Sequence, residues 1–433
     1  AGPAGIIAAL AAGKAGAKVI LADEDFLMGG RLNSELLEID EMLGPDWARK
    51  AIEQFSNMKN VRLMNRTTIY GSYDHGVFGA LERCTDHLLH SHVKPRQILW
   101  KIYSKKSILA AGAIERPIAF GNNDRPGIMT ASAVRAYVNR WGVLPGKRTA
   151  IFTNNDDGWA TAKTLSDRGL EVTAVIDSRK CDPVENIPGA SIIMGGKIVN
   201  TAGRKRIKSI KLANGQTILC DCLAISGGWS PNVHLTCHQG GKPNWNSDLN
   251  AFVPGVNLPK NMTVAGSANG FFNLQSVLTE GLKVANDVLH NLDIKASKIK
   301  VPSSSDDRTK SSAFWYVKES TKRGWVDLQN DVTVKDIKQS HAEGFRSVEH
   351  MKRYTTMGMA TDQGKTSNIL GLAIMAECTG KTIQNTGTTI FRPPYTPIPL
   401  GALAGRSRGK AFRPYRLTPS HKWSEEQGAV FVE

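Results

Sequence analysis

No stretch of this chain is apolar for long enough to span a bilayer, and no signal peptide opens it. These absences set aside the membrane-spanning and secreted classes and lead to the expectation of a soluble, cytoplasmic protein. Cysteine is scarce. The six present (Cys84, Cys181, Cys220, Cys222, Cys237 and Cys378) form no disulfide framework, and no C-x-x-C opens a helix, so dithiol reductase chemistry has no seat. Cys220 and Cys222 stand in the alternating run TILCDCLAIS, where both thiols are expected on one face as core packing. No Ser/His/Asp or Cys/His order suggests nucleophilic catalysis, and no acid–base pair stands out, so the catalytic residues are unknown at this stage. Acidic residues are also short, 39 against 55 Lys and Arg, a net charge of +16. The excess is spread along the chain. Its densest run, GRKRIKSIK at 203–211, reads as a β-hairpin arm with solvated charges, so an acidic partner or an anionic substrate fits better than nucleic acid.

The 433 residues, 41% of them apolar, suffice for two or three packed domains. The chain opens AGPAGIIAALAAGKAGAKVILADEDFLMGGRL, a dinucleotide fingerprint from which the first glycine and its strand are missing. The expectation is that the natural N-terminus lies upstream. Gly2 and Gly5, with Pro3 and Ala4 between them, are the second and third fingerprint glycines, where backbone meets pyrophosphate and helix packs on strand. VILAD then reads as a buried parallel strand ending in Asp23 and Glu24. One of these carboxylates should grip a ribose. Glu24 is preferred, because four residues separate it from the Gly29-Gly30 pair, with Arg31 and Leu32 completing GGRL. A free acid there favours a 2′-hydroxyl over a 2′-phosphate, hence NAD over NADP.

The fold class expected is α/β, with two Rossmann-like dinucleotide-binding domains of the two-dinucleotide flavoprotein type, a small helical module and an extended connector. The first domain covers 1–145, ends its first part in KSILAAGA with Ala111 and Gly112 at the turn, and is completed by 225–292. The second covers 146–224. Its turn reads Asn154-Asn155-Asp156-Asp157-Gly158, with two carboxylates where a pyrophosphate would sit, so this unit is expected to keep its fold and lack a nucleotide. In flavin-holding relatives the strand MTVAG is followed by an aspartate. Gly266-Ser267 stands here instead, which favours NAD over FAD, with FAD the alternative. Residues 293–320 read as a polar linker and 321–378 as a helical module with apolar spacing at Val334, Ile337, Val348 and Met351. The stretch 379–433 reads as a connector too rich in proline and glycine for regular structure.

Five motifs in order, GAIERPIAFGNNDRPGIM, TNNDDGWATA, SGGWSPNVHL, GMATDQGKTSN and FRPPYTPIPLGALAGR, closely resemble the alpha subunit of bacterial heterotetrameric sarcosine oxidase, and together they span most of the chain. The resemblance implies an alpha subunit that binds NAD, with FMN at the interface with a beta subunit, FAD within that beta subunit, and small gamma and delta subunits. It also implies a C-terminal tetrahydrofolate-binding domain, which this chain does not include. Sarcosine would be demethylated on the partner's flavin, giving glycine, formaldehyde or methylene-tetrahydrofolate, and hydrogen peroxide. Related opine- and amine-oxidising subunits carry an iron–sulfur module of the form C-x-C and C-Q-G-R-x-C. Here those positions read Asp327-Leu328-Gln329 and Asp362-Gln363-Gly364-Lys365-Thr366-Ser367, without thiolates, so no metal is expected. The alternatives are a subunit of a related amine or opine dehydrogenase or oxidase, an NAD(P)H-dependent flavoprotein reductase, and a scaffold subunit. His87, His90 and His92 read as ordinary surface or interface histidines, whereas Lys365, Arg392 and Arg406 are candidates for the FMN phosphate or a neighbouring subunit.

Overall fold

The computed structural model describes residues 1–89, 94–304, 306, 311–405, 407, 409, 412 and 415–432. His90, His92 and Arg406 lie outside them. No helix among the described residues is long and apolar enough to cross a membrane.

The first unit begins with α1 (Pro3–Lys14), which starts on a proline and is buried on nearly every side. Proline is tolerated at a helix start because its missing N–H would be unpaired there anyway. Ile6, Ile7 and Leu10 lie in a core with Trp47 and Phe55 of α2 (Gly44–Phe55), each aliphatic side chain contributing roughly 1.5–3 kcal/mol. Small residues let strands approach: a Cβ on Gly13 would lie 2.7 Å from Val61 Cγ2. Strand β1 (Val19–Ala22) pairs in parallel with β2 (Val61–Met64). An antiparallel meander follows, β3 (Thr67–Tyr73), β4 (Val77–Arg83) and β5 (Gln97–Tyr103), leading to β6 (Ser107–Leu109) and β7 (Ala113–Glu115).

The second unit is a five-stranded, wholly parallel sheet. It comprises β8 (Ile128–Thr130), β9 (Arg148–Thr153), β10 (Glu171–Asp177), β11 (Ser191–Met194) and, later in the chain, β15 (Cys222–Ser226), in the order β8-β15-β9-β10-β11. Helices α3 (Ala131–Trp141) and α4 (Asp156–Asp167) pack on one face through Val134, Trp159 and Leu165. The antiparallel set β12 (Ile198–Ala202), β13 (Ser209–Leu212) and β14 (Thr217–Leu219) helps cover the other face. Lys205 and Arg206 are exposed at its first turn, as the hairpin reading expected.

Two boundaries differ from the sequence reading. Strand β8 and α3 belong to the second unit, so the first part of the first unit ends near Glu115 rather than at 145. Its second part resumes after Ser226 rather than at 225, because β15 completes the second sheet. The three-residue strand β8 is too short to announce itself by pattern. The cysteine reading also changes. Asp221 breaks the alternating run between β14 and β15, which puts Cys220 in the core on one side of the sheet and Cys222 in the core on the other. Burial pushes the two thiols up to about 12 and about 11.

The chain crosses back through β16 (Trp229–Pro231), antiparallel to β7, and β17 (Met262–Val264), parallel to β6, before α5 (Leu274–His290) packs along α1. At the crossing sits Arg116, 1% exposed. It donates from Nε to the Gly227 carbonyl (3.3 Å) and from Nη1 to that of Asn250 (2.7 Å), with its guanidinium carbon 5.1 Å from the Trp315 ring centroid. No carboxylate pairs with it among the described residues, and burial lowers its pKa to about 9.

Beyond the linker come two short strands, β18 (Trp325–Asp327) and β19 (Val332–Thr333), which the sequence reading did not expect, and then α6 (Val334–Ala342) and α7 (Val348–Thr355), where the apolar spacing placed two helices. A capping box of Thr333 and Asp336 starts α6. The module is centred on a further helix, α8 (Asn368–Thr379), which is buried nearly all round and so shows no amphipathic period. The connector is more regular than expected. Despite its prolines it holds short helices at Ile383–Thr386, Leu400–Ala404 and His421–Glu426.

Candidate dinucleotide site

A cavity of about 1280 Å³ opens at the start of α1. One arm runs along Ala8, Ala9 and Ala12 toward Leu289 and is apolar, while the polar groups gather in the part bounded by Gly2, Asp23, Gly112 and Ser267. No side chain caps α1 at Gly2 and no acid stands in its first turn. Its end therefore presents backbone N–H groups and the positive end of the helix dipole to the cavity, a setting for a pyrophosphate. Gly30 closes over it: a Cβ there would meet Gly2 Cα at 2.9 Å, and its φ of +57° already favours glycine. The Gly29 N–H donates to the Ala1 carbonyl at 2.9 Å, tying the glycine pair to the helix entry.

Of the two acids, Asp23 is half-buried, its Oδ1 accepting from the Asp25 N–H (2.8 Å). Glu24 is exposed beside it, and its carbonyl accepts from Arg83 Nη2 at 2.6 Å. Both line the cavity, Asp23 directly beyond the last residue of β1. Arg31 also lines it, held by Glu35 (2.9 Å) and the Phe272 carbonyl (2.7 Å). Eleven of the fourteen expected residues line this cavity: Gly2, Pro3, Ala4, Gly5, Asp23, Glu24, Gly30, Arg31, Ala111, Gly112 and Ser267. Leu32 is fully buried in the core instead, Gly29 supports the turn from behind, and the Gly266 N–H is taken by the buried Glu280 carboxylate.

Sequence reasoning missed the opposite wall. There the Asn232 side chain donates to the Ala111 carbonyl (2.8 Å), and His234 and Tyr395 stack face to face. Lys365, named as a candidate for another role, lines this wall as well. His234 is held well below its usual pKa, chiefly by burial, and is neutral. No local motif marks these residues, because three separate stretches of chain bring them together. Arg392 is exposed, its backbone held by Gln363.

The corresponding turn of the second unit is closed. Asn155 caps α4, its Oδ1 accepting from the N–H groups of Asp157 (2.9 Å) and Gly158 (3.4 Å). Asp156 pairs with Arg179 (2.8 Å) and Asp157 with Arg135 (2.6 Å). Over the turn lies the linker, with Asn154 Nδ2 donating to the Ser312 carbonyl at 2.6 Å and the Ser312 N–H to that of Asn154 at 3.0 Å. In the helical module Asp327, 2% exposed, accepts from the N–H groups of Gln329, Asn330 and Gly358. A carboxylate thus ties together the loops that thiolates and a cluster would otherwise join. Among the described residues no group of three or more His, Cys, Asp or Glu is placed to hold a metal ion.

Residues 321–406 match the Sarcosine oxidase A3 domain family. Over its whole length the chain is 43% identical to the sarcosine oxidase alpha subunit of Rhizobium meliloti (strain 1021), covering 44% of that protein. It is 36% identical to that of Corynebacterium sp. (strain U-96), covering 47%. The chain therefore spans less than half the length of these curated relatives. Among solved structures, L-proline dehydrogenase from P. horikoshii superimposes with a TM-score of 0.72 at 20% identity, over 93% of this chain and 78% of that one. T. acidophilum thioredoxin reductase does so at 0.52 and 16%, over 68% and 96%. These neighbours share the α/β dinucleotide-binding fold. Along its whole length the chain is a homologue of sarcosine oxidase alpha subunits.

Proposed function

We propose that this chain is the NAD-holding alpha subunit of an amine-oxidising flavoenzyme whose substrate is sarcosine. Sarcosine, water and oxygen would give glycine, formaldehyde and hydrogen peroxide, with methylene-tetrahydrofolate formed where a folate domain takes the one-carbon unit. The redox flavins belong with the partner, FAD in a beta subunit and FMN at the interface, and gamma and delta subunits complete the assembly. The observation that carries the reading is the uncapped Gly2-Pro3 helix start opening on a cavity that Asp23 and Glu24 also line, in a chain 43% identical end to end to a sarcosine oxidase alpha subunit.

The residues fit the dinucleotide. The N–H groups at the start of α1 would hold the pyrophosphate, Gly30 leaves it room, and Asp23 would accept from ribose hydroxyls and repel a 2′-phosphate. When bound, NAD supplies a hydride acceptor; this chain's part is to bind and orient it. The walls carry the carboxylates of Glu24, Asp25, Asp156 and Asp157 and the buried His234, whose pKa burial holds low, and this reading assigns the proton transfers of amine oxidation to the flavin-bearing partner. A self-contained NAD(P)H-dependent reductase needs a second open nucleotide turn, and Asn155 with Ser312 fills the one available.

Acid release followed by chromatography tests the reading. One NAD per chain is expected, and FAD in its place, or NADP, would overturn it. Sarcosine-dependent peroxide formation should be absent from the chain alone and appear when the flavin-bearing subunit is added.

A further inference from the structure

We propose that the nucleotide site is composite, with the C-terminal module closing it through a strap at 391–396 whose Tyr395 governs how fast the nucleotide exchanges. The proposal rests on the reading of the cavity as a nucleotide site. Tyr395, Thr396 and Lys365 line the same cavity as Gly2 and Asp23, although they lie more than 340 residues away in sequence. Tyr395 enters it only 6% exposed. Its ring lies parallel to His234, with centroids 3.4 Å apart and planes 8° apart, and Phe391 meets its edge at 5.3 Å. Lys365 Nζ sits 4.3 Å from the ring centroid.

The backbone fixes where this ring falls. The Tyr395 N–H donates to the Tyr70 carbonyl of β3 at 3.0 Å, and at the start of the same strand the Thr67 N–H donates to the Asp23 carbonyl at 2.7 Å. Tyr395 thus stands at the acidic, ribose end of the cavity rather than at its apolar arm. Burial, then the charges of Asp362 and Glu24, raise the pKa of its hydroxyl, which keeps it protonated as a donor. Besides the Tyr395 N–H on Tyr70, the strap is anchored outside the cavity by the Gln363 side chain. Its Nε2 donates to the carbonyls of Arg392 (2.9 Å) and Pro394 (3.1 Å), and its Oε1 accepts from the Arg392 N–H (3.0 Å). An extended segment held by one backbone hydrogen bond on β3, one side chain and one stacked ring is what must lift for a nucleotide to leave.

The test is nucleotide release from the protein purified with its partners, followed by chromatography of samples freed of unbound nucleotide at timed intervals. Tyr395→Ala should release it about tenfold faster or more, the loss of roughly one stacking contact. Tyr395→Phe, which keeps the ring, should stay within about twofold of the unsubstituted protein. Gln363→Ala lies outside the cavity, so it tests the strap without touching the walls, and it should speed release several-fold with the melting temperature little changed. Release rates unchanged in both Tyr395→Ala and Gln363→Ala, with a full complement of nucleotide bound, would overturn the composite site and leave the proposed function standing. Absence of any adenine nucleotide from the unsubstituted protein would overturn both.

Discussion

The two helix starts, Gly2-Pro3 of α1 and Asn155-Asp156 of α4, occupy the same place in two units of one plan and have opposite fates. At α1 the donors are left unpaired and glycines clear the space in front of them. At α4 the protein satisfies its own donors with an asparagine, neutralises its own acids with Arg135 and Arg179, and lays its own linker across the top. A Rossmann-like turn is therefore a ligand site only while its backbone N–H groups lack an internal partner. Fold alone does not decide this.

The sharpest way to break the contrast is to block the open turn. Gly30→Val sets a branched side chain at a φ of +57° against Gly2, and bound NAD should fall at least ~100-fold, equivalent to ~2.7 kcal/mol, as read by acid release. Next in size is the acid at the strand end. Losing a charged hydrogen-bond acceptor costs about 1.5–3 kcal/mol, so Asp23→Ala should weaken NAD roughly 10- to 100-fold and narrow the discrimination against NADP. Glu24→Ala, at the exposed position, should cost less than about threefold by the same titration. A larger loss at Glu24 than at Asp23 would restore the sequence-based preference for Glu24.

A third prediction concerns Glu115, buried beside the closed turn. Its carboxylate accepts from Ser226 Oγ (2.5 Å) and the Ser132 N–H (2.7 Å), and burial, then the charge of Asp157, push its pKa from 4.5 up to about 7. The folded protein then holds a proton that the unfolded chain has released between those values. Stability from this group is accordingly full below about pH 4.5 and lost as the pH rises to about 7. Glu115→Gln should leave stability near pH 4.5 unchanged and raise it by about 1–3 kcal/mol at pH 8, read from melting curves. His238, lowered to about 4 by burial, acts in the opposite sense as pH falls and cancels in the difference between the two proteins. The smallest effect is expected from Asn155→Ala. It should cost about 1 kcal/mol of stability, as a lost helix cap does, read from melting curves.

The open turn was legible because its signals are local: glycine spacing, an apolar strand and an acid, all within thirty residues. The closed turn was legible for the same reason, since Asp156 and Asp157 stand in the sequence where phosphate would need room. What could not be read is whatever distant chain supplies. Ser312 over Asn154, and Tyr395 over the cavity, depend on where a linker and a proline-rich connector are carried by the units they join. The choice between Asp23 and Glu24 turns on one residue of strand register, which spacing to a glycine pair does not fix, and the two alanine substitutions decide it. The boundary error near residue 145 has a similar origin, because the three residues of β8 are identified only by the strand they pair with.

Arg116 bears on how these units can move. A guanidinium buried under Trp315 with only carbonyls to receive it is tolerable as long as those carbonyls stay where they are. They come from Gly227, at the return crossing, and Asn250, farther along the returned chain, so parting the outgoing crossing strand from the returning one would strip a buried charge of its acceptors. The crossing works as a rivet rather than a hinge. Whatever opening this protein undergoes should then occur at its edges, where the connector lies, with the two sheets staying in register.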